Sequence, residues 1–422
     1  MHRALSMLGL IIAGEAVFAL PFHVARFFRP TVLEVFALTN TELGAAQGAY
    51  GVLAMLAYFP GGPLADRFPA RKLLALSLWT TAAGGLYMAT FPGYAGAVFL
   101  WGFFGVTTIL FFWAALIRAT RNWGGADAQG RAYGLLDGGR GLLAAVLATA
   151  GVAVFGWVFP ADHATAALAE KEQALRLVIY GYTAVTALAG LLVWFVIPDG
   201  GDERAARWRP EDENFRTHIS QVLRMPAVWL QAVIVVCAYV GYKGFDNYSL
   251  YAVQGYGLDE VEAASIVTLG SWMRPIAAVG AGLLGDRFTV SRMTVVAFAL
   301  LLISDLVFAI TTPAPGMAWV LTGNILIACT AIFGLRALYF ALFEEARVPP
   351  AMTGTAVGLV SVVGFTPDIF VGLVGGIILD ASPGLAGHQN YFFFLAAFAG
   401  AGLAAGLLLM RRLNRLRAAE AG

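Results

Sequence analysis

The chain has 422 residues, of which 59% belong to the apolar set AVILMFWYC and 13% are charged, and its mean hydropathy is +0.74. Soluble domains are about 45–50% apolar and about 25% charged, so this composition excludes a soluble protein of this length. The formal net charge of +1 gives no support for a nucleic-acid partner.

Apolar segments follow one another along the whole chain, and twelve of them are long enough to cross a membrane as helices. One crossing takes about 20 helical residues, so twelve crossings need about 240 residues, close to the apolar share of the chain. The sequence therefore predicts an all-α polytopic membrane protein with twelve transmembrane helices, the first of them interrupted by Pro21. In chain order the predicted spans are 5–36, 43–64, 73–90, 95–117, 132–158, 174–197, 227–252, 260–284, 293–311, 317–343, 353–379 and 389–410.

One polar stretch interrupts this pattern between the sixth and seventh spans. It runs from Pro198 to Arg224 and leaves 197 residues before it and 198 after it. This symmetry predicts an N-terminal six-helix bundle at 1–197, a cytoplasmic linker at 198–225 and a C-terminal six-helix bundle at 226–422.

The basic residues predict the orientation, because Lys and Arg accumulate in loops that stay cytoplasmic. With the N-terminus inside, 19 of the 27 basic residues fall in inside segments, whereas only Lys171 and Arg176 fall outside. We predict a multi-pass protein of the cell (inner) membrane with both termini in the cytoplasm.

Six basic residues remain, and they lie in or near the predicted spans together with five acidic residues at similar depth. Charge at membrane depth is costly and usually faces a bundle interior or a water-filled cavity. We expect part of this set to contact substrate and part to form ion pairs. The basic residues are Arg26, Arg29, Arg140, Lys243, Arg274 and Arg336, and the acidic residues are Glu15, Asp137, Asp246, Asp305 and Asp368.

Sequence spacing indicates local ion pairs for two of these cations. Asp137 precedes Arg140 by three residues, so this pair can close on one helical turn, and we favour a structural or gating role for it. Lys243 precedes Asp246 by three residues as well, and both ion pairing and substrate contact stay open for it. Arg274 has no acid three or four residues away, which favours substrate contact, and the planar guanidinium fork suits carboxylate or phosphate.

Two cytoplasmic loops repeat each other at an offset of 220 residues. Gly62 and Asp66-Arg67 follow the second span, and Gly282 and Asp286-Arg287 follow the eighth. Halves that repeat in this way are typical of transporters that alternate about a central site. We expect the two Asp-Arg loops to latch the cytoplasmic side.

These loops resemble the signature of the major facilitator superfamily, G-x-x-x-D-R with trailing basic residues such as Arg71. The resemblance extends over span number, linker position and repeat, and it implies the twelve-helix fold of that superfamily. The usual glycine after Asp-Arg is replaced by Phe68-Pro69-Ala70, and the fifth span lacks the G-x-x-x-G-P pattern of drug/proton antiporters.

Within that superfamily the chain is most similar to anion exchangers. The seventh span, with Lys243, Asp246 and Tyr251, resembles the R-Y-G-V-x-D-W-x-P-x-Y pattern of organophosphate:phosphate antiporters, whose first-span arginine falls near Arg26. Arg274 resembles instead an arginine of oxalate:formate antiporters, whose eleventh-span lysine has no counterpart here. The resemblance implies an anion as substrate and does not single out which one.

We therefore expect a secondary transporter that moves a small organic anion, such as a phosphate ester, carboxylate or sulfonate, by alternating access. Antiport and proton symport both stay open. Aromatic side chains in the seventh span are candidates to shape the pocket, although most aromatic residues of such chains only pack. The predicted substrate-binding residues are Arg26, Lys243, Arg274, Arg336, Tyr242 and Tyr248; the predicted gating or coupling residues are Asp66, Arg67, Arg71, Asp137, Arg140, Asp246, Asp286, Arg287 and Asp368.

Three other classes of function are less consistent with the sequence. Proton-coupled uptake of a neutral solute such as a sugar predicts clusters of Asn and Gln, but Gln231, Asn247 and Gln254 are scattered. A membrane enzyme lacks its usual motifs here, with neither H-E-x-x-H nor G-x-S-x-G present. A sensor is expected to carry a sizeable soluble domain. We expect a monomer in the lipid bilayer that needs no cofactor and no metal.

Overall fold

The computed structural model describes residues 2–125, 128–159, 166–198, 220–346 and 350–421, and within these ranges every regular element is a helix. This confirms the predicted all-α class. The predicted linker at 198–225 lies outside the described residues over 199–219.

The first half of the chain forms nine α-helices among the described residues, with π-helical turns inside its first and fourth spans. The helices are α1 (His2–Phe18), α2 (Val24–Phe27), α3 (Arg29–Val35), α4 (Asn40–Arg67), α5 (Ala70–Met88), α6 (Tyr94–Thr108), α7 (Ala114–Gly124), α8 (Gln129–Val158) and α9 (Leu168–Val196); the π-helical turns are Ala19–His23 and Ile109–Trp113.

The second half is also built of α-helices, and the seventh and eleventh spans of the chain are each broken into two helices. Its described helices from the seventh span onwards are α10 (Pro226–Gly244), α11 (Tyr248–Tyr256), α12 (Glu260–Phe288), α13 (Val290–Ile310), α14 (Ala318–Leu338), α15 (Leu342–Glu345), α16 (Pro350–Gly364), α17 (Pro367–Ala381) and α18 (Leu385–Ala421); a 3-10 turn at Phe245–Asn247 joins α10 to α11.

Ten helical segments of the described chain are long and apolar enough to cross a membrane. The other two predicted spans correspond to α4 and α5, which are helices of 28 and 19 residues. The span 43–64 lies within α4, and the span 73–90 runs two residues past the end of α5. Large side chains on the outside of the helices are apolar, as contact with lipid requires: Trp157 is 85% exposed and Phe195 is 79% exposed.

Short polar signals set where several helices begin. Thr39 accepts a hydrogen bond from the backbone N–H of Glu42, and the Glu42 carboxylate accepts one from the Thr39 N–H, which forms a capping box at the start of α4. Asp259 likewise accepts from the N–H groups of Val261 and Glu262 at the start of α12. These caps satisfy backbone donors that a helix start leaves without partners.

Contacts between residues divide the described chain into two compact units. Unit 1 takes the described part of Met1–Arg207 and adds two segments from the second half, Asp246–Trp272 and Asp368–Asp380. Unit 2 takes the described residues of Trp208–Phe245, Met273–Pro367 and Ala381–Gly422. Unit 1 therefore includes the later part of the seventh span, the earlier part of the eighth and most of α17.

Glycines of α4 allow α17 to approach closely inside unit 1. A Cβ atom on Gly48 would lie 2.7 Å from the Ile369 carbonyl oxygen, and one on Gly51 would lie 2.6 Å from the Asp368 carbonyl carbon. A Cβ atom on Gly44 would collide with the carbonyl group of Gly372. Small residues spaced three or four apart bring helix backbones into contact in membranes, so side chains here would force α4 and α17 apart.

Candidate substrate and gating sites

A π-helical turn in the first span places the charged residues of that span. Pro21 lies within the turn Ala19–His23, where a missing N–H and a steric clash disturb the regular helix. The extra residue of a π turn rotates everything after it by about 100° relative to the helix before it. Arg26 lies just beyond this turn and is buried, at 5% exposure.

Arg26 forms an ion pair with Asp246 in the 3-10 turn of the seventh span. The Nε–Oδ1 distance is 2.6 Å, and the two side chains are 6% and 5% exposed. Ser249 adds a second link, since its hydroxyl donates to the carbonyl oxygen of Arg26 at 2.8 Å. Sequence spacing predicted Lys243 as a neighbour of Asp246 and substrate as a partner of Arg26, but it did not predict that Arg26 and Asp246 meet.

The distribution of basic residues predicts which end of unit 1 faces outside, and this end is called the outer end below. Two further polar contacts lie there. Lys171 Nζ lies 2.7 Å from Glu34 Oε2 and 2.9 Å from Glu260 Oε1. A cation between two carboxylates joins α9 to α3 and α12. The sequence placed Lys171 outside but assigned no partner to it.

The second contact involves Asp380 on α17, which binds the first residues of α4. Its carboxylate accepts from the backbone N–H and the hydroxyl of Thr41 at 2.7 and 2.6 Å, and from the backbone N–H and side-chain amide of Asn40 at 3.3 and 3.1 Å. A carboxylate at a helix start also complements the helix dipole. These contacts, the Lys171 contacts and the Arg26–Asp246 pair are called the outer-end network below.

A buried polar cluster joins Glu15 in α1, His23 at the end of the π-helical turn and Arg140 in α8, and is called the Glu15 cluster below. Arg140 Nε donates to the Gly14 carbonyl oxygen at 2.9 Å and lies 3.5 Å from Glu15 Oε2. His23 Nε2 lies 3.5 Å from Glu15 Oε1. The predicted pair of Asp137 with Arg140 is present at 3.5 Å, but the Asp137 side chain is 74% exposed, whereas that of Glu15 is 5% exposed.

Aromatic rings surround Arg336 in unit 2. Its guanidinium carbon lies 4.1 Å from the ring centre of Tyr242 and 5.7 Å from that of Tyr239. Tyr242 in turn contacts the ring of Phe333, and Tyr239 contacts that of Phe365, with ring centres 6.4 and 5.1 Å apart. This arrangement is a cation–π site, and Arg336 as a whole residue is half-buried there.

The remaining predicted binding residues divide between the two units. Lys243 on α10 is buried at 4% exposure, and Arg274 on α12 is half-buried beside Pro275; both belong to unit 2, as Arg336 does. Tyr248 belongs to unit 1, where it is 1% exposed and therefore packed.

The predicted latch residues lie at the ends of helices. Asp66 and Arg67 close α4, Asp286 and Arg287 lie near the end of α12, and all four side chains are exposed. Close to the first loop, Arg118 donates to the Phe68 carbonyl oxygen at 2.8 Å, and Arg71 lies 5.1 Å from the ring centre of Trp194. Asp368 lies in the first turn of α17, beside Gly51. Their gating role stays a prediction.

The sequence-family model of the Major Facilitator Superfamily matches residues 11–372 of this chain. The chain belongs to the Major Facilitator Superfamily. It is a membrane transporter of that superfamily, and its fold is the predicted one. The finer resemblance to organophosphate and oxalate exchangers stays a prediction.

Two relatives and one solved structure show how widely the similarity extends. The inner membrane protein YihN of Escherichia coli strain K12 is 28% identical over 414 residues, which cover 96% of this chain and 95% of YihN. The protein named "Probable nitrate/nitrite transporter NarK2" of Mycobacterium tuberculosis strain H37Rv is 26% identical over 328 residues, 76% of this chain and 75% of that protein. A bacterial homologue of the human lysosomal transporter Spinster, inward-facing and unoccupied, matches with a TM-score of 0.77 over 98% of both chains at 15% identity, which shows the fold alone.

Proposed function

We propose that this protein transports a small organic anion across the inner membrane by alternating access. The observation that carries the proposal is the concentration of cations within unit 2, where Arg336 lies against Tyr242 and Tyr239 while Lys243 is buried and Arg274 is half-buried. Charge in a membrane-embedded bundle is expensive, and cations so placed favour an anionic ligand. Similarity to a nitrate/nitrite transporter and to an inner membrane protein supports both the charge of the substrate and the location.

Arg336 is the preferred anchor for the anion. A guanidinium offers several donors in one plane and therefore suits carboxylate, phosphate or sulfonate oxygens. The rings of Tyr242 and Tyr239 hold that plane in place. Lys243 and Arg274 then supply additional positive charge from α10 and α12.

The outer-end network is assigned to gating. The Arg26–Asp246 pair and the Asp380 contacts join the first half of the chain to segments of the second half. In alternating access such contacts must break whenever the outer side opens. We therefore assign Arg26, paired with Asp246, to the gate. We also propose that both termini lie in the cytoplasm.

Counterflow in proteoliposomes tests the substrate class. Vesicles are loaded with unlabelled succinate, gluconate, glucose 6-phosphate, ethanesulfonate or inorganic phosphate, and the entry of the same labelled compound is followed; glucose serves as the neutral solute. We expect exchange of at least one anion and none of glucose. Exchange of glucose alone would support the rival function, uptake of a neutral solute.

Three substitutions test the site itself. Arg336→Ala, Lys243→Ala and Arg274→Ala each remove one cation, and the loss of a charge-assisted contact of about 1.5–3 kcal/mol predicts roughly a tenfold to hundredfold fall in exchange at low anion concentration. Arg292→Ala is the matched control, because Arg292 is an exposed arginine of the same unit. Undiminished exchange in all three variants would show that the anion site lies elsewhere.

A further inference from the structure

The Glu15 cluster is a set of ionisable groups within the predicted hydrophobic depth of the first and fifth spans. Glu15, His23 and Arg140 are 4%, 3% and 8% exposed. Buried ionisable residues inside membrane spans are expensive to keep and often mark ion or proton pathways. Anion binding at Arg336 does not use any of them.

The backbone is built to hold this cluster. Gly14 has no side chain, and a Cβ atom there would lie 2.9 Å from Arg140 Cδ, so the glycine leaves room for the arginine to donate to the Gly14 carbonyl. The π-helical turn Ala19–His23 then brings His23 Nε2 to Glu15 Oε1 although eight residues separate them. Arg140 also lies over the rings of Phe18 and Trp113, at 5.6 and 5.7 Å.

We propose that Glu15, His23 and Arg140 form a proton-binding site that couples proton entry to anion transport. The proposal rests on the proposed function and assigns symport to it. The proton from the outer solution bonds to His23 Nε2, beside Glu15 Oε1, and leaves to cytoplasmic water; no other bond changes.

Charge balance gives the physical reason. With His23 neutral, the carboxylate of Glu15 and the guanidinium of Arg140 sum to zero. Protonation adds one positive charge at membrane depth, where net charge is costly. An anion bound in the protein offsets this charge, so each ligand favours the binding of the other, and the coupling is reciprocal. Histidine is suited to the role because its charge changes near neutral pH.

Other elements pack around the cluster, and their charged or titratable groups are already engaged. Asp137 on α8 faces outward and contacts Arg140. The ring of Tyr182 on α9 lies 6.0 Å from His23, and its hydroxyl donates to the Leu147 carbonyl oxygen. Tyr50 on α4 is hydrogen-bonded to Thr108, and Arg26 on α2 is paired with Asp246. The α5 helix presents Gly85 to Leu20 of the π-helical turn.

The position of Arg26 connects the proton site with the gate. His23 ends the π-helical turn, and Arg26 follows it by three residues in α2. A change in the contact between His23 and Glu15 therefore acts on the same short segment that presents Arg26 to Asp246. Proton occupancy and opening of the outer end are thereby linked.

Two transport measurements on the same proteoliposomes test the proposal. The probe is the compound among succinate, gluconate, glucose 6-phosphate, ethanesulfonate and inorganic phosphate that the wild-type protein exchanges fastest. Counterflow is measured at equal pH on both sides, and accumulation is measured with an alkaline interior. In Glu15→Gln we expect accumulation to fall about tenfold or more while counterflow changes by less than about threefold, since the coupling between proton and anion is removed. In His23→Asn we expect net uptake to lose its dependence on external pH.

His388→Asn is the matched control, because His388 is a fully buried histidine on α18 in unit 2. Both of its activities should equal those of the wild type. Accumulation that survives in Glu15→Gln and His23→Asn, or a wild-type protein whose uptake ignores the proton gradient, would overturn the proton site and leave the anion function standing. Loss of both counterflow and accumulation in Glu15→Gln and in His23→Asn would show that the cluster only supports the structure, and it would overturn the proposal as well. Absence of wild-type counterflow with every probe would instead sink the proposed function.

Discussion

The outer end of unit 1 and the surroundings of Arg336 in unit 2 hold their positive charges in different ways. At the outer end, Arg26 and Lys171 lie within 3 Å of carboxylates, at Asp246 for the first and at Glu34 for the second. The Arg336 guanidinium packs against the faces of two tyrosine rings. A carboxylate holds a cation by its opposite charge, whereas the face of a ring also fixes the plane of a guanidinium. We infer that the first region holds a conformation and the second attracts a ligand.

The largest effect is expected where a buried pair is broken. Asp246→Ala leaves Arg26 buried without its carboxylate, and breaking such a pair typically costs about 3–5 kcal/mol. If the pair closes the outer end, the protein should shift toward an outward-open state. The measurement is labelling of Ser249→Cys by a membrane-impermeant maleimide from outside, in a background that lacks Cys237 and Cys329; Ser249 is 0% exposed in this structure.

The control for that change is Glu172→Ala, which removes a partly exposed acid that pairs with Arg176 at 3.6 Å. Its labelling rate should stay at the level of the parent. The exchanged pair Arg26→Asp with Asp246→Arg should return labelling toward that level. Equal labelling rates in Asp246→Ala and in the parent would show that the Arg26–Asp246 pair at the outer end has no gating role.

A second, smaller effect is expected from the contact between α4 and α17. Gly44→Ala places a Cβ atom against the Gly372 carbonyl, and overpacking of this kind costs about 1–3 kcal/mol. The same maleimide labelling should rise, because α17 can no longer close on α4. Gly62→Ala lies on the same helix with open space around its Cβ. Its free energy of unfolding should stay within about 0.5 kcal/mol of that of the parent, and its labelling should not rise. Similar labelling in both variants would contradict the close approach as the cause.

The surroundings of Arg336 are tested by two substitutions that distinguish the ring of Tyr242 from its hydroxyl. Tyr242→Phe keeps the ring, whereas Tyr242→Ala removes a cation–π contact worth up to about 2 kcal/mol. The half-saturating anion concentration in counterflow should therefore rise by roughly threefold to thirtyfold in the alanine variant and stay near that of the parent in the phenylalanine variant. Tyr180→Ala, an exposed tyrosine on α9, is the control. Equal losses in both Tyr242 variants would show that the hydroxyl matters and the ring does not.

The smallest effect is expected at Asp380, since its hydrogen bonds to Asn40 and Thr41 lie in an exposed position. Asp380→Ala removes a carboxylate at a helix start, a loss of about 1 kcal/mol. Labelling at the outer end should rise modestly in Asp380→Ala. The labelling rate of Asp380→Asn, which keeps an acceptor, should lie between those of the parent and Asp380→Ala. A rise equal to that of Asp246→Ala would mean that Asp380 and not the buried pair dominates the closure.

Local spacing predicted part of the charged sites and missed the rest for a geometric reason. Asp137 and Arg140 were expected to pair because both lie on one helix, and they do. The buried partner of Arg140, Glu15, comes from another helix, and its position depends on how α1 and α8 are rotated about their axes. Nothing in the spacing along the chain encodes that rotation.

One signal in the sequence could have revealed the ion pair of Arg26 with Asp246. Arg26 and Asp246 are 220 residues apart, the same offset that relates Asp66 to Asp286. Positions equivalent in two repeats meet where a pseudo-two-fold axis passes between the repeats. Opposite charges at equivalent positions of the first and seventh spans therefore indicate a contact on that axis.

The sequence by itself determined that this protein lies in a membrane, that its backbone is helical and that its two halves repeat. The physical reason is local: lipid offers the backbone no hydrogen bonds, so apolar runs of about 20 residues must become helices. Only the tertiary structure decided which partner each buried charge takes. Partners such as Asp246 for Arg26, Glu15 for Arg140 and Tyr242 for Arg336 depend on helix rotation and contact at a few ångströms, which hydropathy does not specify.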